Sequence, residues 1–192
     1  ISVSDIDETR RQHLEQKYGV AVTSDNRLAT DKSEVVVLAI KPQHLAGVMV
    51  DLKDHLNPAQ LALSIIAGIR IDTLCLELNH RQIVRAMPNT PAQIGEGITV
   101  WTATAETTEP QRELAGSILG AIGREIYVDD EKYLNMATAV SGSGPAYFFL
   151  FVEALVAAAK HIGLPDETAH ELVLQTMLGS GHLIQKSGKQ PA

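Results

Sequence analysis

The chain has 192 residues, with 16 Lys and Arg against 23 Asp and Glu and a formal net charge of −7. Hydrophobic residues make up 45% and charged residues 20%, a globular balance that excludes disordered, collagen-like and disulfide-scaffold classes. The acidic surplus argues against nucleic acid or an anionic membrane surface as the main partner. Cys75, the single cysteine, allows no internal disulfide and fits a cytoplasmic location.

In chain order, residues 1–4 read as a strand and 7–18 as a charged helix ended by Gly19. Residues 20–22 form a short strand. Residues 34–40 are the clearest strand, apolar on both faces like a central parallel strand. The spacing then predicts a helix over 43–55, a strand over 61–66, a helix over 71–78, and strands over 83–87 and 98–103. A helix over 110–122 and a strand over 125–128 follow. Strands alternating with helices predict a doubly wound, mostly parallel α/β sheet. Beyond Asp129 the chain reads as all-helical: 131–139, a break at 141–145, then 146–162 and 165–186. The expected domains are 1–129 and 130–192. The apolar stretch 146–159, interrupted by Glu153, is too short to span a bilayer, and no membrane partner is expected.

In such sheets ligands bind outside the carboxyl ends of the strands. Those ends read Ser4-Asp5, Ala39-Ile40-Lys41-Pro42, Ile66-Ala67-Gly68 and Met87-Pro88-Asn89-Thr90-Pro91. Lys41 offers a cation, Gly68 lets backbone approach a ligand closely, and two prolines stiffen the Asn-Thr loop. Each has a plainer reading: a solvated lysine, a turn glycine, a rigid connection, and Asp5 as a helix cap. Ser141-Gly142-Ser143-Gly144-Pro145 is either a flexible turn or an anion site at a helix start. The seven histidines show no metal-ligand pairing, and surface or cap positions are their default. No metal is expected. Cys75 reads as core packing, and Tyr147, Phe148, Phe149 and Phe151 as core or interface.

Arg85-Ala86-Met87-Pro88-Asn89-Thr90-Pro91, followed by Ser141-Gly142-Ser143-Gly144-Pro145-Ala146-Tyr147, closely resembles the pyrroline-5-carboxylate reductase family. The 39–42 and 67–68 stretches fit the same family in the same order. The resemblance implies a Rossmann-type domain followed by an all-α dimerisation domain, and a homodimer or higher homo-oligomer. It also implies reduction of 1-pyrroline-5-carboxylate to L-proline with NADPH, or alternatively NADH. By the same resemblance Ser4, Asp5, Asn26, Ala39, Ile40, Lys41, Pro42, Ile66, Ala67, Gly68, Met87, Asn89, Thr90 and Glu131 belong to the cofactor site. Thr138, Ser141 and Ser143 belong to the substrate pocket. The expected strand, Gly-x-Gly-x-x-Gly turn and helix of a dinucleotide fold are absent ahead of residue 1, and a Ser/Thr-Pro-Gly-Gly-Thr segment of the family is absent after residue 192. Truncation at both ends is therefore expected. The competing readings are another two-domain dehydrogenase or imine reductase, which needs a lysine acid after the domain boundary, and a non-catalytic assembly module.

Overall fold

Short β-branched runs form strands, and charged or one-sided apolar stretches form the helices between them. The computed structural model describes residues 1–189. It opens with β1 (Ser2–Ser4), α1 (Glu8–Tyr18) and β2 (Ala21–Thr23). The Asp7 carboxylate caps α1 by accepting from the Thr9 and Arg10 amides, and Gly19 ends it at φ 63°, a conformation glycine adopts freely. β1 and β2 form a two-stranded parallel sheet.

The chain continues through α2 (Asn26–Thr30), β3 (Val35–Leu38), a 3-10 turn (Pro42–His44), α3 (Leu45–Leu52), β4 (Leu61–Ser64), α4 (Ile71–Leu78) and β5 (Ile83–Met87). A 3-10 turn (Thr90–Ile94) leads to β6 (Gly97–Ala103), α5 (Glu109–Gly120) and β7 (Gly123–Tyr127). These strands build a second sheet in the order β3-β4-β5-β6-β7. All neighbours are parallel except β5 and β6. The connection between those two holds only a 3-10 turn, too little for the crossover helix a parallel pair requires.

The larger sheet is covered on both faces, the doubly wound arrangement expected. Val36, Leu38, Leu74, Leu78 and Ile83 pack with Met49 and Leu52 of α3. On the other face Leu61, Leu63, Val84, Ala86 and Trp101 pack with Ala115 and Leu119 of α5. Three expectations are corrected. Among the described residues β3 pairs only with β4, and Val37 is 48% exposed. The helix expected over 43–55 begins as a 3-10 turn because Pro42 stands at its first position, and α3 stops at Leu52. α2 went unread because it is only one turn long and is set by the Asp25 cap.

α6 (Lys132–Ala137), a π-helical turn (Thr138–Gly142), α7 (Gly144–His161) and α8 (Asp166–Ser187) complete the described chain. The chain divides into a compact unit Ile1–Gly142 and a second unit that starts at Ser143. α6 packs on β5 and β6, with Leu134 fully buried, so it lies with the sheet although it follows the expected boundary at Asp129. Within the second unit α7 and α8 meet through Val156, Ala169 and Val173. Pro145 and Pro165 open these helices. The Lys160 ammonium pairs with Asp166 and holds its carboxyl below the usual range. Tyr147, Phe148, Phe149 and Phe151 of α7 are all exposed in the single chain. The helical run Lys132–His161 is longer than the 146–159 stretch suggests, and by length and composition alone it is sufficient to cross a membrane.

Burial of Leu134 under α6 gives a direct test. Leu134→Ala should cost about 2–5 kcal/mol, read as a lower urea midpoint of the fluorescence of Trp101, the single tryptophan. An unchanged midpoint would contradict the docking of α6 on the sheet.

Candidate active site

The residues singled out from the sequence fall into three groups in the first unit, apart from Ser143, which opens the second. At the end of β1 the Ser4 hydroxyl donates to Asn26 Oδ1 at 2.8 Å, and Asn26 Nδ2 donates to Asp51 Oδ2 at 2.8 Å. Ser4 and Asn26 therefore stand together and tie β1 to α2 and α3. Asp5 Oδ1 accepts from the Asp7 amide at 2.9 Å, its Oδ2 pairs with Arg10 at 3.4 Å, and its carbonyl accepts from Arg11 Nη1 at 2.6 Å. The capping role considered for Asp5 belongs to Asp7, and Asp5 instead gathers two arginines.

The second group follows β3 and β4. Ala39 and Lys41 are exposed, and Lys41 and Pro42 open the 3-10 turn. The Ile40 and Ile66 side chains pack into the sheet core, so only their backbone can meet a ligand. Gly68 has φ 76° and an open space where a Cβ would stand. Both features suit close approach of a ligand to the Ala67-Gly68 backbone.

The third group is the end of β5 together with the helical segment after Asp130. Asn89 Oδ1 accepts from the Ile98 amide at 2.9 Å and staples the Met87–Thr90 loop to β6. The serine–glycine segment is not the open break expected. Thr138–Gly142 is a π-helical turn, a rare geometry found mostly as bulges at functional sites. The Thr138 hydroxyl donates to the Leu134 carbonyl at 2.7 Å and the Ser141 hydroxyl to the Ala137 carbonyl at 3.0 Å. Ser143, the residue before α7, makes no side-chain capping bond. A Cβ at Gly142 would stand 3.3 Å from Met87 Cε and 3.5 Å from Thr138 Cγ2. Met87, more than fifty residues earlier in the chain, thus stands beside the Thr138–Gly142 turn at Gly142.

Beside them lies a cluster that sequence reasoning did not assemble. Arg85, only 2% exposed, donates from Nη1 to Glu131 Oε1 at 2.6 Å and from Nη2 to Asn135 Oδ1 at 3.2 Å. Glu131 Oε1 also accepts from the Ile71 amide at 2.8 Å. The available signal was an arginine inside the apolar strand Ile83-Val84-Arg85-Ala86-Met87, because a buried guanidinium stays charged and needs a carboxylate. Glu131, expected at the cofactor, takes both of these bonds on Oε1, while its Oε2 lies 3.9 Å from Arg70 Nε.

Two further expectations change or sharpen. His80 is buried, not at the surface, with Nε2 at 2.8 Å from the Gln60 carbonyl. Cys75 packs against the sheet core, and burial pushes its thiol pKa up, away from the reactive thiolate form. The first unit therefore offers backbone, amides and hydroxyls on stiff supports: an arrangement that binds and orients. Because Asn89 satisfies the Ile98 amide, Asn89→Ala should lower the unfolding free energy by about 1 kcal/mol in urea titration. Unchanged stability would show that the staple carries no energy.

A family model described as pyrroline-5-carboxylate reductase dimerisation matches residues 131–192. One described as NADP oxidoreductase, coenzyme F420-dependent, matches residues 1–68. The pyrroline-5-carboxylate reductase of Pseudomonas aeruginosa is 40% identical over 100% of this chain and 71% of its own length. That of Haemophilus influenzae is 40% identical over 97% of this chain and 69% of its own. The solved reductase from Coxiella burnetii superposes with a TM-score of 0.89 at 38% identity, covering 99% of this chain and 71% of that one. The Plasmodium falciparum pyrroline carboxylate reductase, solved with NADP bound, gives 0.84 at 32%, covering 90% and 66%. Prephenate dehydrogenase from Aquifex aeolicus, at 12% identity and 0.61, shares the fold alone. The chain belongs to the pyrroline-5-carboxylate reductase family.

Proposed function

We propose that the protein reduces 1-pyrroline-5-carboxylate to L-proline, the last step of proline synthesis, by hydride transfer from NADPH. The observation that carries the reading is the approach of Met87, at the end of β5, to Gly142 of the Thr138–Gly142 turn, in a chain of this family. The residues fit a dinucleotide: Gly68 leaves its backbone open, Lys41 supplies a cation, and Met87 offers an apolar surface for a nicotinamide ring. When bound, the cofactor supplies the hydride, and the protein supplies orientation and electrostatics.

The residues present make that division of labour workable. A protonated cyclic imine is already electrophilic, so the protein must align it, bind its carboxylate and exclude water. The Thr138 and Ser141 hydroxyls spend their protons on helix carbonyls. Their oxygens keep lone pairs that suit the N–H of a protonated imine. The dehydrogenase alternative needs a free lysine acid after residue 129. Lys132 pairs with Asp130 at 2.7 Å and Lys160 with Asp166, which disfavours it.

The choice of NADPH rests on Arg10. An acid at the end of the second dinucleotide-fold strand favours NAD, while an arginine nearby accommodates the 2′-phosphate of NADP. Here Arg10 is exposed and already drawn to Asp5. The exposed aromatic face of α7 and the dimerisation match over 131–192 support a homodimer or higher oligomer through the helical domain, residues 130–192. A cytoplasmic location completes the proposal.

The direct test is pyrroline-5-carboxylate-dependent NADPH oxidation by the full-length protein; no turnover with either nicotinamide would reject the reading. In that assay Arg10→Ala should lower kcat/KM for NADPH about tenfold, the worth of one charge-assisted hydrogen bond, and leave NADH unchanged. Equal losses with both would reject Arg10 as the selector. Gly142→Ala should reduce turnover severalfold by displacing Met87, while the thermal midpoint holds or rises, because Ala stabilises a helix by roughly 0.5–1 kcal/mol over Gly. Unchanged turnover would remove the Met87–Gly142 contact from the site.

A further inference from the structure

We infer that Arg85 and Glu131 are positioning residues: their buried ion pair sets the placement of the 66–68 loop, the 87–90 loop and the Thr138–Gly142 turn relative to one another. The inference rests on the functional reading above and extends it to the residues behind the site elements.

Side chains alternate along β5. Ile83, Arg85 and Met87 share one face, and Val84 and Ala86 the other. Arg85 stands opposite Ser64 of β4 and Thr102 of β6, both 2% exposed or less. Its guanidinium thus lies inside the sheet layer, two residues before Met87. Glu131 neutralises it at 2.6 Å and with the same oxygen takes the Ile71 amide at 2.8 Å. Ile71 is the first residue of α4, the helix entered directly from the Gly68 turn. Glu131 immediately precedes α6, and α6 runs into the π turn that carries Thr138 and Gly142. Asn135, one turn into α6, takes the other arm of Arg85 at 3.2 Å. One carboxylate therefore joins the segments behind all three site elements.

Stability alone does not account for such a pair. Apolar residues of similar volume commonly replace a buried ion pair with no loss of stability, whereas removing one partner is strongly destabilising. What an apolar pair cannot reproduce is the directed bond to the Ile71 amide and the two-armed grip on α6. Misplacement by about 1 Å from a remote change can cost on the order of 100-fold in rate. That sensitivity gives the ion pair a consequence for turnover separate from its effect on folding.

The test uses the full-length protein with 1-pyrroline-5-carboxylate and NADPH. Wild-type turnover is measured first, and its absence overturns the functional reading and this inference together. With an active wild type, the double variant Arg85→Met with Glu131→Leu separates positioning from packing. The expected result is a thermal midpoint close to wild type with kcat reduced about 10- to 100-fold. A folded double variant with kcat within about twofold of wild type, too small a change for misplaced loops, overturns the inference and leaves the functional reading standing. If the double variant does not fold, Glu131→Gln decides, because it keeps the side-chain shape and one acceptor oxygen. A retained midpoint with severalfold lower kcat and weaker NADPH fluorescence binding supports the inference. A retained midpoint with wild-type kcat and binding overturns it, as does a kcat that falls only in step with the folded fraction.

Discussion

The buried bond between Arg85 and Glu131, 2.6 Å long, is the constraint on which the arrangement of the site depends. A guanidinium inside a sheet layer cannot lose its proton, so some carboxylate must come to it. The one that comes lies 46 residues later, at the start of the segment that bears the π turn. Satisfying one buried charge thus draws α6 onto β5 and β6. Leu134, fully buried, adds the apolar half of the same docking.

From that docking the rest of the site follows. β5 delivers Met87, the Asn89 staple to Ile98 holds the loop, and Gly142 leaves the room in which Met87 Cε stands. The Thr138 and Ser141 hydroxyls spend their protons on helix carbonyls four residues back without taking their oxygens out of use. The site contains stiff supports and acceptors rather than an evident acid or base. That suits a reduction in which the substrate arrives already electrophilic and the cofactor carries the hydride.

Much of this was legible in local pattern. The helix at Ile71–Leu78 and the strand at Ile83–Met87 have the bounds that their periodicity predicted, and the strand-end motifs lie where the doubly wound sheet needs them. What was not legible depends on long-range partners. Val35-Val36-Val37 is apolar whichever strands flank it, so composition could not show that, among the described residues, β3 pairs with β4 alone. Ser141-Gly142-Ser143-Gly144 has the composition of a break, yet docking on the sheet keeps its first half helical, as tertiary context overrides propensity. Arg85 was placed in the strand over 83–87, but its partner was set by folding rather than by spacing. His80 read as a surface residue because nothing local reveals that the Gln60 carbonyl lies against its ring.

The second unit raises a complementary point about burial. α7 and α8 share a small core of Val156, Ala169 and Val173, while four aromatic side chains of α7 remain exposed in the single chain. Such a face suits a second protomer, in keeping with the dimerisation match. The central claim, however, concerns the first unit: one ion pair gathers the elements that hold the reacting groups. A crystal structure of the full-length protein with NADP bound tests it most directly. The account predicts the nicotinamide ring against Met87 and the Thr138–Gly142 turn, with Arg85 and Glu131 still paired. A ring bound away from Met87, or an opened Arg85–Glu131 pair beside a properly seated ring, would contradict it.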